Sequence, residues 1–136
     1  MSQVEQPTGS ECIPRLETLT AEYLRDILDD FCMSRWNGNR DTVAAVGRWK
    51  DWPLVVRMAD VRKDFTILID NGLVRAVTVG LPQRPRMVCV MFAETMQRIY
   101  YQETTVALES IAGRIGVRGN EIERRRLLTA MSYLTW

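Results

Sequence analysis

Residues able to carry acid–base or nucleophilic chemistry are few in this chain of 136 residues. Histidine is absent, which excludes Ser-His and Cys-His catalytic pairs and removes the commonest metal ligand. The three cysteines, Cys12, Cys32 and Cys89, are odd in number and widely spaced, so they fit neither a disulfide framework nor a zinc site. Cys32 and Cys89 lie in apolar stretches typical of buried free thiols. Any catalysis would therefore use carboxylates, tyrosine, lysine or arginine.

Three glutamates, Glu94, Glu103 and Glu109, fall in or beside two short segments with helical spacing. A carboxylate beside an apolar cavity has its pKa raised by desolvation and can then act as a general acid or base. Under an enzymatic interpretation the candidate catalytic residues are Glu109, Glu103 and Tyr100. The competing interpretation is that these side chains simply face water.

A basic run, Glu-Arg-Arg-Arg at Glu123–Arg126, lies after Arg118. A nucleic-acid site would need a stronger positive balance and interleaved aromatic residues, whereas the formal net charge is +1. The run is better explained as a solvated helix face whose arginines pair with Glu121 or Glu123. We therefore predict no nucleic-acid partner.

Composition indicates one globular domain, because 46% of the residues are hydrophobic and 26% are charged. No apolar run is long enough to span a bilayer, so we predict no stable membrane insertion. The polar first residues do not resemble a signal peptide, which predicts a cytoplasmic location. We expect residues 1–14 to form a disordered lead-in and residues 15–136 to form a single domain.

The elements that must position these residues begin with a helix over Leu19–Trp36, for which Thr20 is a suitable N-cap. Residues 37–53 are ambiguous between a short helix and a first strand. Trp49 and Trp52 are expected at an edge, and together with Trp136 they would suit a homodimer interface if exposed.

Short runs rich in β-branched residues then predict four strands. Asn71-Gly72 is a strong hairpin signal, because both central residues of a type I′ turn need positive φ. The connection Leu81–Arg86, with two prolines, is expected to make a third hairpin. The four predicted strands are Leu54–Met58, Phe65–Ile69, Leu73–Val79 and Met87–Phe92.

Helical spacing returns over Thr95–Tyr101 and over Thr104–Ile111, where Thr104, Leu108 and Ile111 would share the buried face. A short strand, Arg114–Arg118, precedes a last helix over Asn120–Leu134, whose N-cap is Asn120. A sheet with its helices gathered on one face is an α+β domain.

The second half of the chain resembles the sterol carrier protein family, type two, known for lipid transfer. The stretch IAGRIGVRGN, from Ile111 to Asn120, looks like the family's helix ending at glycine, short strand and Gly-Asn opening of the final helix. Upstream, FTILIDNGLVRAVTVG resembles the family's hairpin, and MVCVMFAETMQRI resembles the strand and helix that come next. The final LLTAMSYL is similar to the family's closing helix. The chain departs from the family at Gln102, where a glycine is usual, and near Glu109, where a small residue is common.

The resemblance implies an α+β fold: an antiparallel (mixed) five-stranded sheet covered on one face by four to five helices, enclosing an apolar cavity. It implies a stand-alone bacterial protein that carries a sterol, fatty acyl chain or polyketide-like or terpenoid-like metabolite without a cofactor. The alternatives are an enzyme that isomerises or cyclises a hydrophobic intermediate in that cavity and a structural or regulatory protein whose cavity is collapsed. The predicted lining residues are Phe65, Ile67, Met91, Met96, Ile99, Tyr100, Leu108, Leu128, Met131 and Trp136.

Overall fold

The computed structural model describes residues 19–135, and it begins with an amphipathic helix. Helix α1 spans Ala21–Phe31 and continues as a π-helical turn over Cys32–Trp36. The predicted cap is confirmed, because the Thr20 side chain accepts a hydrogen bond from the Tyr23 backbone N–H at 3.0 Å. The apolar stripe of α1 is buried, so this helix covers the core as its spacing predicts.

The ambiguous segment contains a short helix, α2, over Arg40–Ala45. Its buried Thr42 hydroxyl donates to the Ala130 carbonyl oxygen at 2.8 Å and joins α2 to the last helix. Trp49 and Trp52 are only 2% and 8% exposed, so the expectation that they lie on the surface is wrong. Their rings stack on each other inside the fold, where they bury far more apolar area than an edge position would allow.

Five strands form one sheet in the order β3-β2-β1-β4-β5. Strand β1 pairs antiparallel with β2, and β2 with β3, through the predicted hairpins. Asn71 and Gly72 have φ values of 54° and 84°, as a type I′ turn requires. The strands are β1 Trp52–Met58, β2 Lys63–Asp70, β3 Leu73–Val79, β4 Met87–Met91 and β5 Gly116–Arg118.

The expected third hairpin is wrong, because β4 does not pair with β3. It lies parallel to β1, and the sheet is therefore mixed. In this register Met87 and Cys89 lie opposite Leu54 and Val56, so the buried side of β4 extends the buried side of the central strand. The connection 80–86 must return the chain to the opposite end of the sheet, which a tight hairpin cannot do.

The remaining helices are α3 over Ala93–Tyr100, α4 over Val106–Ile111 and α5 over Glu121–Ser132. Asn120 caps α5 as predicted, accepting hydrogen bonds from two backbone N–H groups of the first turn. The predicted ion pairs along α5 are also present, from Arg124 and Arg125 to Glu121. Among residues 19–135, no helix has the length and apolar character that a membrane span needs.

The predicted buried face of α4 is wrong. Leu108 and Ile111 are 58% and 84% exposed, whereas Ala107 and Glu109 face the interior. The Ala107 backbone N–H donates to the Leu134 carbonyl oxygen at 3.2 Å, an approach that suits a small side chain. The helix is oriented by this contact and by the partners of Glu109, which outweigh the burial of two apolar residues.

Candidate functional site

An apolar cavity of about 50 Å³ lies between the buried face of the sheet and its covering helices. The sheet contributes residues from β1, β2 and β4, and the helical side contributes residues from α1, α3, α4 and α5. Every residue that lines the void is buried, so the void lies within the core. The lining residues are Leu28, Phe31, Cys32, Trp36, Leu54, Val56, Ile67, Cys89, Met91, Met96, Ile99, Val106, Ile115, Leu127, Met131 and Leu134.

The lining that residues 19–135 form is apolar throughout, and its two thiols are the only titratable side chains among these lining residues. Burial raises the pKa of Cys89 to about 12, and burial together with the nearby Asp29 charge raises the pKa of Cys32. Both therefore stay protonated at neutral pH and behave as small apolar groups. The indole N–H of Trp36 donates to the Gly72 carbonyl oxygen at 2.9 Å, so it is not available to a guest in the cavity.

Five of the ten predicted lining residues border this cavity. They come from strands β2 and β4 and from helices α3 and α5. The five residues are Ile67, Met91, Met96, Ile99 and Met131.

The structure places the other five elsewhere. Phe65 is fully buried but is not part of the cavity wall, and Leu128, which is half-buried on α5, is not part of it either. Leu108 faces solvent because of the orientation of α4. Tyr100 is half-buried and donates from its hydroxyl to Asp30 Oδ2 at 2.8 Å, away from the cavity. Trp136 lies outside the described residues.

Several cavity residues were missed by the sequence prediction. Leu54 and Val56 alternate on β1, and Leu28 and Phe31 belong to the α1 stripe, so their burial was predictable although their position at the cavity was not. Ile115 stands in the short connection before β5 and carried no periodic signal.

Glu109, the leading candidate for acid–base chemistry, has its partners within the protein. Its carboxylate is 1% exposed and accepts hydrogen bonds from Thr104 Oγ1 at 2.7 Å and from Arg114 Nε and Nη2 at 2.6 and 3.0 Å. The hydrogen bond from Arg114 lowers the pKa of Glu109, against the opposing effect of burial. A carboxylate that is ionised at neutral pH and holds the connection after α4 is a structural group.

The other two acid–base candidates also lie outside the cavity lining. Glu103 is exposed and its carboxylate lies 3.8 Å from Arg98 Nε. The hydrogen bond to Asp30 raises the pKa of Tyr100, which therefore holds its proton at neutral pH. The described part of the cavity thus contains none of the groups that the enzymatic interpretation requires.

Known structures share this architecture over most of the chain. The palmitated SCP2L2 protein of Aedes aegypti matches with a TM-score of 0.54 and 17% identity, covering 82% of this chain and 96% of that one. UbiJ-SCP2, a ubiquinone synthesis protein, matches with a TM-score of 0.57 and 9% identity, covering 81% and 94%. The chain has the sterol carrier protein type two fold. No family model and no curated protein sequence matches it, so the likeness lies in the structure.

A much larger protein of known structure also contains a region with this fold. The stereoselective inverting sec-alkylsulfatase Pisa1 from Pseudomonas sp. matches 88% of this chain with a TM-score of 0.53 and 19% identity. This chain spans only 17% of the length of that sulfatase. The apolar cavity between the sheet and its helices is the candidate functional site of this protein.

Proposed function

We propose that this protein binds a hydrophobic small molecule, such as a fatty acyl chain, between the sheet and its helices. The observation that carries the proposal is the continuous apolar lining, to which both layers contribute and which has no charged side chain among the described residues. Apolar area removed from water contributes about 25 cal/mol per Å², so such a lining favours a guest without polar groups. The palmitated state of the Aedes aegypti protein supports an acyl chain as the first candidate.

The cavity must expand to accept this guest. Its volume of about 50 Å³ exceeds that of one water molecule in the liquid, roughly 30 Å³, by less than a factor of two. Sites for drug-sized ligands occupy roughly 300–1,000 Å³. In this proposal, binding separates the helices from the sheet or repacks the side chains between them.

Methionine supplies the means of repacking. Met91, Met96 and Met131 approach the cavity from a strand and two different helices, and each is under 10% exposed. Their unbranched thioether chains change rotamer at low cost and fit irregular guests. A cavity of this kind accepts a range of chain lengths, since no polar group fixes one ligand in place.

The first test is native mass spectrometry of the purified protein before and after extraction with organic solvent. We expect a discrete mass that extraction removes and that incubation with fatty acids of 12 to 18 carbon atoms restores. No bound mass with any chain length would contradict the proposal.

A second test locates the guest. Trp36 lines the cavity, whereas Trp49 is buried outside it, so a dibrominated fatty acid should quench the fluorescence of Trp36 first. Quenching should largely disappear in Trp36→Phe and persist in the matched control Trp49→Phe. Quenching that is unchanged in Trp36→Phe would place the fatty acid elsewhere and refute this site.

The predicted cytoplasmic location and homodimer stay predictions, which cell fractionation and sedimentation would check. An isomerase or cyclase is not proposed, because Glu109, Glu103 and Tyr100 are directed to partners other than the cavity.

A further inference from the structure

An open crevice of about 430 Å³ adjoins the apolar cavity at the end of the sheet where β1 and β4 begin. Its wall contains the first residue of each of these strands, the end of the connection 80–86 and the first turn of α5. Unlike the cavity, it contains polar and charged side chains. The lining residues are Trp52, Arg86, Met87, Asn120, Ile122 and Glu123.

Three elements, β1, β4 and α5, contribute to both the crevice and the cavity. On each strand the two lining residues are two positions apart, which is about 7 Å along a strand. On α5 they are four positions apart, which is about 6 Å along the helix axis. One layer of side chains therefore separates the two spaces. The pairs are Trp52 and Leu54 on β1, Met87 and Cys89 on β4, and Glu123 and Leu127 on α5.

One of the residues that line the crevice, Trp52, has a buried hydrogen-bond donor without an acceptor. Trp52 is 8% exposed, and among residues 19–135 its indole N–H is the one buried side-chain polar group with no partner. Its stacking neighbour Trp49, at 4.5 Å between ring centroids, donates its own N–H to Glu123 Oε1 at 2.7 Å. Buried donors are almost always satisfied, so the Trp52 N–H points to an acceptor that residues 19–135 do not supply.

The crevice also has an excess of positive charge. The guanidinium of Arg86 stands 4.9 Å from the centre of the Trp52 ring, and within the described residues no carboxylate pairs with it. Glu123 is compensated, since Arg126 Nη1 lies 3.0 Å from both of its oxygens. The N-terminus of α5, a helix of twelve residues, adds a partial positive charge.

We propose that the crevice binds the anionic head group, a carboxylate or phosphate, of a single-chain lipid whose tail enters the apolar cavity. The proposal rests on the proposed function, which it deepens. The Arg86 guanidinium and the Trp52 N–H donate to the oxygens of the head group. The head group stays in the crevice because an ionised group in the apolar cavity would find no partner there.

The tail reaches the cavity by displacing the single layer formed by Trp52, Met87 and their neighbours on α5. The same displacement frees the indole N–H of Trp52 to meet the head group. The site therefore selects amphipathic molecules with a charged end over neutral ones of equal chain length.

The test compares four ligands with the same sixteen-carbon chain: palmitate, hexadecanol, palmitoyl lysophosphatidate and monopalmitoylglycerol. Their dissociation constants are measured by displacement of a fluorescent fatty acid. We expect each anionic lipid to bind about tenfold more tightly than its neutral counterpart, a ratio typical of a charge-assisted hydrogen bond. The stronger of the two anionic ligands identifies the head group as carboxylate or phosphate.

Arg86→Met should abolish this preference, weakening the anionic ligands about tenfold and leaving the neutral ones unchanged. Arg84→Met is the matched control, because Arg84 is exposed on the same connection but does not line the crevice. Trp52→Phe removes the N–H and should weaken only the anionic ligands, about threefold, with its folding checked by circular dichroism.

The outcomes separate the two proposals. Equal affinity for anionic and neutral lipids, or a preference that Arg86→Met leaves intact, would overturn the head-group site while the apolar cavity stands. Failure of all four ligands to bind would overturn the proposed function and the head-group site together.

Discussion

Enlarging Val56 to leucine should stabilise the protein, whereas the same change at its neighbour Val55 should not. Val56 borders the cavity, and its side chain can extend into empty space. Val55 is also fully buried, but it points to the other face of the sheet, between Thr66 and Val88 on the adjacent strands. The pair therefore tests whether the void is real room in the core.

The magnitude follows from the size of the void. At about 24 cal/mol per Å³, a void of about 50 Å³ lowers the free energy of unfolding by roughly 1.2 kcal/mol. Filling the void can raise that free energy by this amount at most. One added methylene contributes about 0.8 kcal/mol when it is buried without strain. At Val55 the added methylene meets packed neighbours, and overpacking typically costs about 1–3 kcal/mol. Loss of β-branching affects both variants equally, so it cancels in their difference.

Urea unfolding followed by tryptophan fluorescence measures both variants, with the free energies compared at a common m-value. We expect the two substitutions to differ by about 2 kcal/mol, with Val56→Leu the more stable. Equal destabilisation of the two variants would refute the reasoning, because it would mean that the void cannot accept a methylene. A changed m-value would show instead that the unfolding reaction itself had been altered.

Three further outcomes are expected. The pKa of Glu109 is lowered in the folded state, so ionised Glu109 stabilises the protein fully above about pH 4.3 and this stabilisation is lost on acidification. The midpoint of urea unfolding should therefore decline between about pH 5 and pH 3, and Glu109→Gln should flatten that decline. Gly72→Ala should lower the thermal midpoint more than Gly80→Ala, since both have positive φ but only a Cβ at Gly72 would clash with a carbonyl oxygen of α2. Cys32 and Cys89 should resist iodoacetamide in the native protein and react at the rate at which the core opens, and a bound acyl chain should change that rate.

Local signals predicted most of the secondary structure because their physics is short-range. Thr20 and Asn120 each satisfy backbone N–H groups within three residues, so the beginnings of α1 and α5 could be predicted without knowledge of the rest of the fold. Asn71-Gly72 likewise sets its own backbone conformation. Gln102 retains the left-handed conformation, with φ of 65°, at the position where the family resemblance leads one to expect glycine.

Pairing between distant elements could not be predicted in the same way. The local sequence around Met87 does not indicate whether β4 lies beside β1 or beside β3, because the alternation of buried residues fits both positions. The strand with which β4 pairs depends on how the complete strands together form the buried face of the sheet. On α4, the Ala107–Leu134 backbone hydrogen bond and the partners of Glu109 decide which face is buried, and hydrophobic spacing carries no information about them.

The sequence alone determined the α+β class, the bounds of most elements and which side of each element is apolar, since these follow from propensity and spacing along the chain. The sequence also limited the possible catalytic chemistry, because a chain without histidine and with three scattered cysteines has few acid–base, nucleophilic or metal-binding groups. The tertiary structure decided how large the gap between the layers is, which predicted residues border it, and that Trp52 lies beside Arg86 with its N–H unsatisfied. These properties depend on distances between elements far apart in the chain, and packing sets those distances only when all the elements are in place.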